Sequence, residues 1–158
     1  MTTGHLRGIA RHDRPRGPME TVGRISVTPE LGLQGDFRGA VRPGKTPRRQ
    51  VSLIEAESWA EAMADLGLDI PWYQRRANLL TEGLRLPRQP GAVIRIGASL
   101  QIEVTCECDP CSRMEEIAPG LKAALIPDWR GGVLGKVIMP GEIALGDAIT
   151  ILRQGTQP

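Results

Sequence analysis

The residues with the most chemistry to offer stand close together: Cys106, Cys108 and Cys111 in a C-x-C-x-x-C arrangement. Clustered thiolates suit a tetrahedral soft-metal site such as zinc. A closed site of that kind needs a fourth ligand, and the chain has no other cysteine; only His5 and His12, far away in sequence, carry an imidazole. A second reading makes the cysteines small buried hydrophobes. A third is a reactive thiol at Cys111, which follows Asp109-Pro110 where a helix is expected to begin. Free amides and the helix dipole favour thiolates at such starts. Cys106 and Cys108 continue a strand, alternate with Glu107 and are expected to face one side of a sheet. Spacing alone leaves all three readings open.

Two further clusters could bind anions. Arg38, Arg42, Lys45, Arg48 and Arg49 share one stretch that contains no acid. It reads either as a solvated loop or as a site for a phosphate-bearing ligand. Within it, Gly39–Thr46 matches the phosphate-loop pattern G-x-x-x-x-G-K-T. That pattern works only when a buried strand delivers the loop and a helix follows it. Here no apolar strand precedes it and Pro47 follows directly, so a nucleotide triphosphatase is not expected. The Arg75–Asn78 segment is either a polar strand entry or a contact for phosphate and heterocycle edges.

The elements that must position these groups are mostly short strands. His5–Ala10, Thr21–Val27, Val51–Ile54, Ala77–Thr81, Ala92–Ile96 and Gln101–Thr105 read as β, with Gly97-Ala98 as a hairpin connection. Gly132–Met139, Ile143–Leu145 and Ala148–Leu152 complete the set, with a turn at Pro140-Gly141. Leu31–Arg49, rich in glycine and proline, is a long irregular segment of the kind that is commonly functional. One helix is clear over Glu55–Leu66, where Trp59, Ala62, Met63 and Leu66 recur at i, i+3, i+4 and i+7, and Gly67 is a natural stop. Ser52 and Glu55 have capping-box spacing. A second helix starts near Ser112 and is broken at Pro119-Gly120. The fold class expected is a mainly β, distorted barrel with two or three short helices. It forms one domain over residues 4–152, with flexible tails at 1–3 and 153–158.

Composition limits the function classes. The 158 residues carry a net charge of +2, with 41% hydrophobic and 24% charged residues, as in ordinary globular domains. Aromatic residues are too scarce for a base-stacking nucleic-acid binder. No apolar stretch approaches the ~20 residues that span a bilayer. Met1–Arg16 lacks the apolar region of a signal peptide. The odd, crowded cysteines are not a disulfide framework, so a reducing, cytoplasmic setting is expected.

In order along the chain, several motifs resemble the MOSC family, named for the C-terminal domain of molybdenum cofactor sulfurases. They are Gly32–Asp36, Arg49–Leu53, Arg76–Leu80 with Gly83-Leu84, and Leu100–Thr105 followed by Asp109-Pro110-Cys111. Gly131–Val133, Gly141–Ile143 and Gly146-Asp147 complete the pattern, which covers nearly the whole chain. The resemblance implies a β-barrel-like fold that binds molybdenum cofactor (molybdopterin), with no pyridoxal phosphate. Its implied activity is reduction of N-hydroxylated small molecules or sulfur carriage. Cys111 matches the family cysteine and would be the catalytic residue and metal ligand. Lys45, Arg48, Arg49 and Arg76 would hold the cofactor phosphate, and Asn78 the pterin. The implied partners are an external electron donor or a sulfur-donating cysteine desulfurase. Two departures stand out: Phe37-Arg38 follows Gly35-Asp36 where the family often has a nearby His, and Ala77 splits the usual Arg-Asn pair. These favour the rival expectation, a non-catalytic binding or scaffold domain without cofactor.

Overall fold

Alternation of apolar and polar residues shapes most of the strands. The computed structural model describes residues 3–155. In chain order its elements are β1 (Thr3–Arg11), β2 (Glu20–Thr21), β3 (Arg24–Thr28), β4 (Gly32–Leu33), β5 (Val51–Glu55), α1 (Ala56–Leu66) and β6 (Leu79–Glu82). There follow β7 (Val93–Ile96), β8 (Leu100–Glu107), α2 (Ser112–Ile117), α3 (Leu121–Leu125), β9 (Val133–Met139), β10 (Gly141–Ala144) and β11 (Ala148–Arg153). Single 3-10 turns lie at Trp72–Arg75 and Pro127–Trp129.

The main sheet runs β11-β7-β8-β9-β5-β6-β1, and β1 pairs back onto β11, so the sheet closes into a barrel. β5 and β6 are parallel, joined through α1, while the other barrel pairs are antiparallel. The expected distorted barrel with short helices is therefore what forms. From β8, the side chains of Leu100, Ile102 and Val104 turn inward and join Leu6, Leu53, Leu79 and Ile94 in the barrel core. Each such fully buried aliphatic side chain stabilises the fold by roughly 1.5–3 kcal/mol. The small sheet β10-β3-β4 adds Ile25, Val27, Leu33 and Ile143 to that core.

β5 and β6 are buried on both faces, because helices cover their outer side. Leu53 and Leu79 face the barrel core, whereas their neighbours Ile54 and Leu80 pack with Trp59, Met63, Met114 and Leu121. Gly67 stops α1 with φ 65°, and its amide bonds to Ala64 O at 3.3 Å. As expected, Pro119-Gly120 divides the second helical stretch, into α2 and α3.

Some expectations needed correction. Thr21–Val27 is not one strand; it divides at Val22-Gly23 into β2, paired with β1, and β3, paired with β10. Ser52 and Glu55 do not cap α1: the Ser52 hydroxyl bonds to Asn78, and the Glu55 carboxylate accepts from Ser58 Oγ and the Leu86 amide. Strands reach Thr3 and Arg153, one residue beyond the expected domain at each end. Of the expected tails, residues 1–2 and 156–158 lie outside the described residues. No helix among the described residues is long and apolar enough to cross a membrane.

Candidate functional site

Where β1 finishes, β5 and β6 begin, and the strand register brings the last residue of β8 and the first of β9 alongside them (Ile9↔Leu79, Leu79↔Leu53, Leu53↔Val133, Val133↔Glu107). Asn78, just before β6, ties three of these strand ends together. Its Oδ1 accepts from the Ser52 amide at 3.0 Å and the Ser52 hydroxyl at 3.2 Å, and its Nδ2 donates to Ala10 O at 3.1 Å. Its own amide donates to Ser52 Oγ and Ser52 O, both at 3.0 Å, and its carbonyl accepts from the Ala10 amide at 2.7 Å. Asn78 is buried. It is first a clamp, and its side chain also acts on the Asp36 carboxyl, holding that group's pKa down against the effect of burial.

Beside this clamp opens a cavity of about 350 Å³, lined by Cys111, Cys108, Arg49, Arg76, Asn78, His12 and Asp36, among others. Cys111 is exposed and forms the N-cap residue of α2. Arg76 sits in a left-handed conformation (φ 67°) just after the 3-10 turn and donates from Nη2 to Gly17 O at 2.8 Å. Burial pushes its guanidinium pKa down, the nearby Arg113 and Arg38 add to the effect, and Asp36 opposes it. Cation crowding of this kind favours an anionic occupant.

Of the expected cofactor-binding residues, Arg49, Arg76 and Asn78 come together with Cys111 in this cavity. Lys45 and Arg48 instead line a neighbouring groove of about 300 Å³, formed by the loop Arg38–Gln50; Arg38 and Arg49 border both spaces. Gln50 holds that loop in place. Its buried amide donates to Pro29 O (2.6 Å) and Gly39 O (3.0 Å), and its Oε1 accepts from the Val137 amide at 2.8 Å. The phosphate-loop look-alike Gly39–Thr46 has neither a delivering strand nor a following helix.

The three cysteines do not converge. Cys106 lies within β8 beside Leu134 of β9 and does not line the cavity. Cys108 falls just past the strand and is buried in the cavity wall. Among the described residues, no group of three or more His, Cys, Asp and Glu is placed to hold a metal ion.

Sequence reasoning missed the pair His12 and Asp36. The His12 amide donates to Asp36 Oδ1 at 3.1 Å, and His12 Nδ1 lies 3.5 Å from the same oxygen. His12 Nδ1 and Asp36 Oδ2 are buried without hydrogen-bond partners. Burial raises the Asp36 carboxyl, opposed by the His12 amide and imidazole; burial likewise lowers the His12 imidazole, opposed by Asp36. The Phe37 ring packs against His12 at 6.1 Å between centroids. An imidazole thus stands beside Gly35-Asp36 after all, delivered by the end of β1. The signal available in sequence was a histidine directly after a buried-type strand, which alone does not announce its partner.

Charge pairing marks the same region. Arg7, Arg11, Arg14, Arg24, Arg85, Arg88, Arg130, Lys136 and Arg153 each meet a carboxylate. Among the described residues, the cations with no carboxylate partner are Arg95, Lys122 and those around the cavity and groove. The latter are Arg16, Arg38, Arg42, Lys45, Arg48, Arg49, Arg75, Arg76 and Arg113. Two larger clefts, of about 620 and 590 Å³, are bordered by cations that are already paired, such as Arg11 with Glu20 and Arg85 with Asp128.

Comparison with known proteins agrees with this architecture. The family model described as the MOSC domain matches residues 41–150. The YuaD protein from Bacillus subtilis superposes with a TM-score of 0.74 at 20% identity, covering 93% of this chain and 94% of that one. YiiM from Escherichia coli gives 0.69 at 18% identity, covering 97% and 72%. YiiM from Geobacillus stearothermophilus gives 0.63 at 16%, covering 95% and 73%. No curated protein matches the chain by sequence.

Proposed function

Because the chain belongs to the MOSC domain family, we propose that its cavity binds molybdenum cofactor, with Cys111 as the reactive thiol. The observation that carries this reading is the gathering of unpaired cations around one exposed cysteine. Guanidiniums that lack carboxylate partners suit the phosphate of such a ligand. Thiolate sulfur is a soft ligand, suited to molybdenum. The two orphaned polar atoms, His12 Nδ1 and Asp36 Oδ2, also fit a cavity that expects a polar occupant.

In this reading Arg49 and Arg76 grip the phosphate, with Lys45 and Arg48 supporting from the adjoining groove. Asn78, in the cavity wall, borders the pterin. The cofactor, when bound, supplies two-electron redox chemistry at its metal, suited to reducing an N-hydroxylated small molecule. Cys111 either ligates that metal or accepts sulfur as a persulfide. His12 and Asp36 hold a proton close to the reacting region. The electron donor or sulfur-donating cysteine desulfurase is then an external protein, in a cytoplasmic setting.

The test is molybdenum analysis of protein purified from a cofactor-producing host. About one molybdenum per chain is expected, lost in Cys111→Ser. Absence of molybdenum, with Cys111→Ser changing neither ligand binding nor persulfide labelling, refutes the reading. Ala77, which separates Arg76 from Asn78, favours a second reading, a binding domain without catalysis; metal-free protein that still binds an anionic ligand is its signature.

A further inference from the structure

The cavity holds a second thiol that the proposed chemistry leaves unused. Cys108 sits against Arg75, a residue only 6% exposed. Arg75 Nη2 donates to Cys108 O at 2.8 Å, to Gly131 O at 3.1 Å and to Cys108 Sγ at 3.2 Å; Nη1 reaches Met114 Sδ at 3.7 Å. A buried cation is costly unless paired. No carboxylate is among these partners, so the Cys108 sulfur is the only one able to carry negative charge. Gly131 makes the packing possible: a Cβ there would lie 2.5 Å from Cys108 O and 3.1 Å from Arg75 Nη2. A merely space-filling cysteine requires no such arrangement.

We propose that Cys108 is the resolving thiol of Cys111. The proposal rests on the sulfur-accepting half of the function proposed above. With a persulfide on Cys111, Cys108 Sγ attacks Cys111 Sγ. The Cys108–Cys111 sulfur–sulfur bond forms and the bond from Cys111 Sγ to the outer sulfur breaks. That outer sulfur leaves as hydrosulfide with the bonding electron pair, and the Cys108 thiol proton passes to it or to water. The sulfane sulfur is reduced and the two thiols are oxidised to a disulfide. Negative charge passes in the attack from Cys108 to the departing outer sulfur, and Arg75 Nη2, 3.2 Å from Cys108 Sγ, stands where that charge starts.

Residues three apart in an extended chain reach about 10 Å between Cα atoms, whereas a disulfide needs less than about 7 Å. A Cys108–Cys111 bond therefore requires the 108–111 segment to be bent rather than fully extended. Cys111 is the end that moves: it is exposed and begins a helix of 6 residues with no side-chain cap, whereas the Cys108 amide is tied to Gly132 O at 2.9 Å.

The test uses the chain in a Cys106→Ser background with an aryl disulfide, dithiobis-nitrobenzoate, followed by mass spectrometry. Attack by Cys111 releases one thionitrobenzoate; closure by Cys108 releases a second, so about two equivalents are expected, falling to about one in Cys108→Ser. Arg75→Lys should slow the second release about tenfold while leaving the first unchanged, which a general loss of structure would not do. In a parallel arm with inorganic polysulfide, Cys108→Ser should retain persulfide on Cys111, while its parent yields sulfide and a Cys108–Cys111 disulfide. If no variant takes up sulfur, the sulfur-accepting reading fails, and the aryl disulfide arm still decides the role of Cys108. A single equivalent with Cys108 present, with a stable mixed disulfide on Cys111, overturns the proposal.

Discussion

Replacing Asn78 by alanine removes Oδ1 as acceptor for the Ser52 amide and hydroxyl, and Nδ2 as donor to Ala10 O. Each such bond contributes about 0.5–1.5 kcal/mol net, and a buried group left without a partner costs about 1–3 kcal/mol. Ala10 is fully buried, so its carbonyl cannot recover a bond from water without local opening. Together these terms give a loss of about 2–4 kcal/mol, which for a chain of this size lowers the thermal midpoint by roughly 5–15 °C. Thermal and urea unfolding followed by circular dichroism read the effect directly. Asn78→Asp should be worse than Asn78→Ala near neutral pH, because it turns a carboxylate oxygen toward the Ala10 carbonyl and adds charge near Asp36. A loss below about 1 kcal/mol for alanine, or a better tolerated aspartate, would show that the side chain does not join these strand ends in the way described.

Two other outcomes are expected. Burial raises the Asp36 carboxyl above its ordinary 3.8, so the folded state holds that proton more tightly than the unfolded state, and stability from this group is lost as pH rises through the folded pKa. Asp36→Asn keeps an oxygen for the His12 amide but cannot ionise; its unfolding free energy relative to the parent should climb as pH rises above 3.8 and then level off, and a flat difference in urea titrations across pH contradicts the assignment. Inorganic pyrophosphate, measured by calorimetry, should bind Arg76→Ala about tenfold or more weakly than the parent, whereas Lys45→Ala and Arg48→Ala should each cost only a few-fold, since they line the neighbouring groove. Equal losses for all three would merge the two spaces into one site.

Local pattern was enough for the features written within a single element. The helical recurrence of Trp59, Ala62, Met63 and Leu66 reports α1 because all four must face the same apolar cover. The break at Pro119-Gly120 and the placement of Cys111 at the start of α2 are likewise local. What depends on strands meeting across the barrel was not legible. His12 and Asp36 are 24 residues apart, and nothing short of the folded end of β1 meeting the turn after β4 brings them together. The cations from Arg38 to Arg49 look like one cluster in sequence, yet Gln50 pins their loop so that Lys45 and Arg48 belong to a separate groove. Arg75 and Arg76 are adjacent and similar, but the left-handed turn at Arg76 leaves one buried against Cys108 and the other partly exposed. A break such as Val22-Gly23, between strands that pair with different partners, is equally invisible to a period of two.

Closure of the barrel through Thr3 and Thr150 sets the order in which this protein can be made. During vectorial synthesis the first strand emerges long before the last, and the entropy of joining such distant segments is lost only at the end. Until then β1 keeps an open edge on the side that β11 will occupy, a template for pairing with other chains. Folding is accordingly expected to be slow for a domain of this length, and the nascent barrel to be most vulnerable to aggregation just before β11 leaves the ribosome.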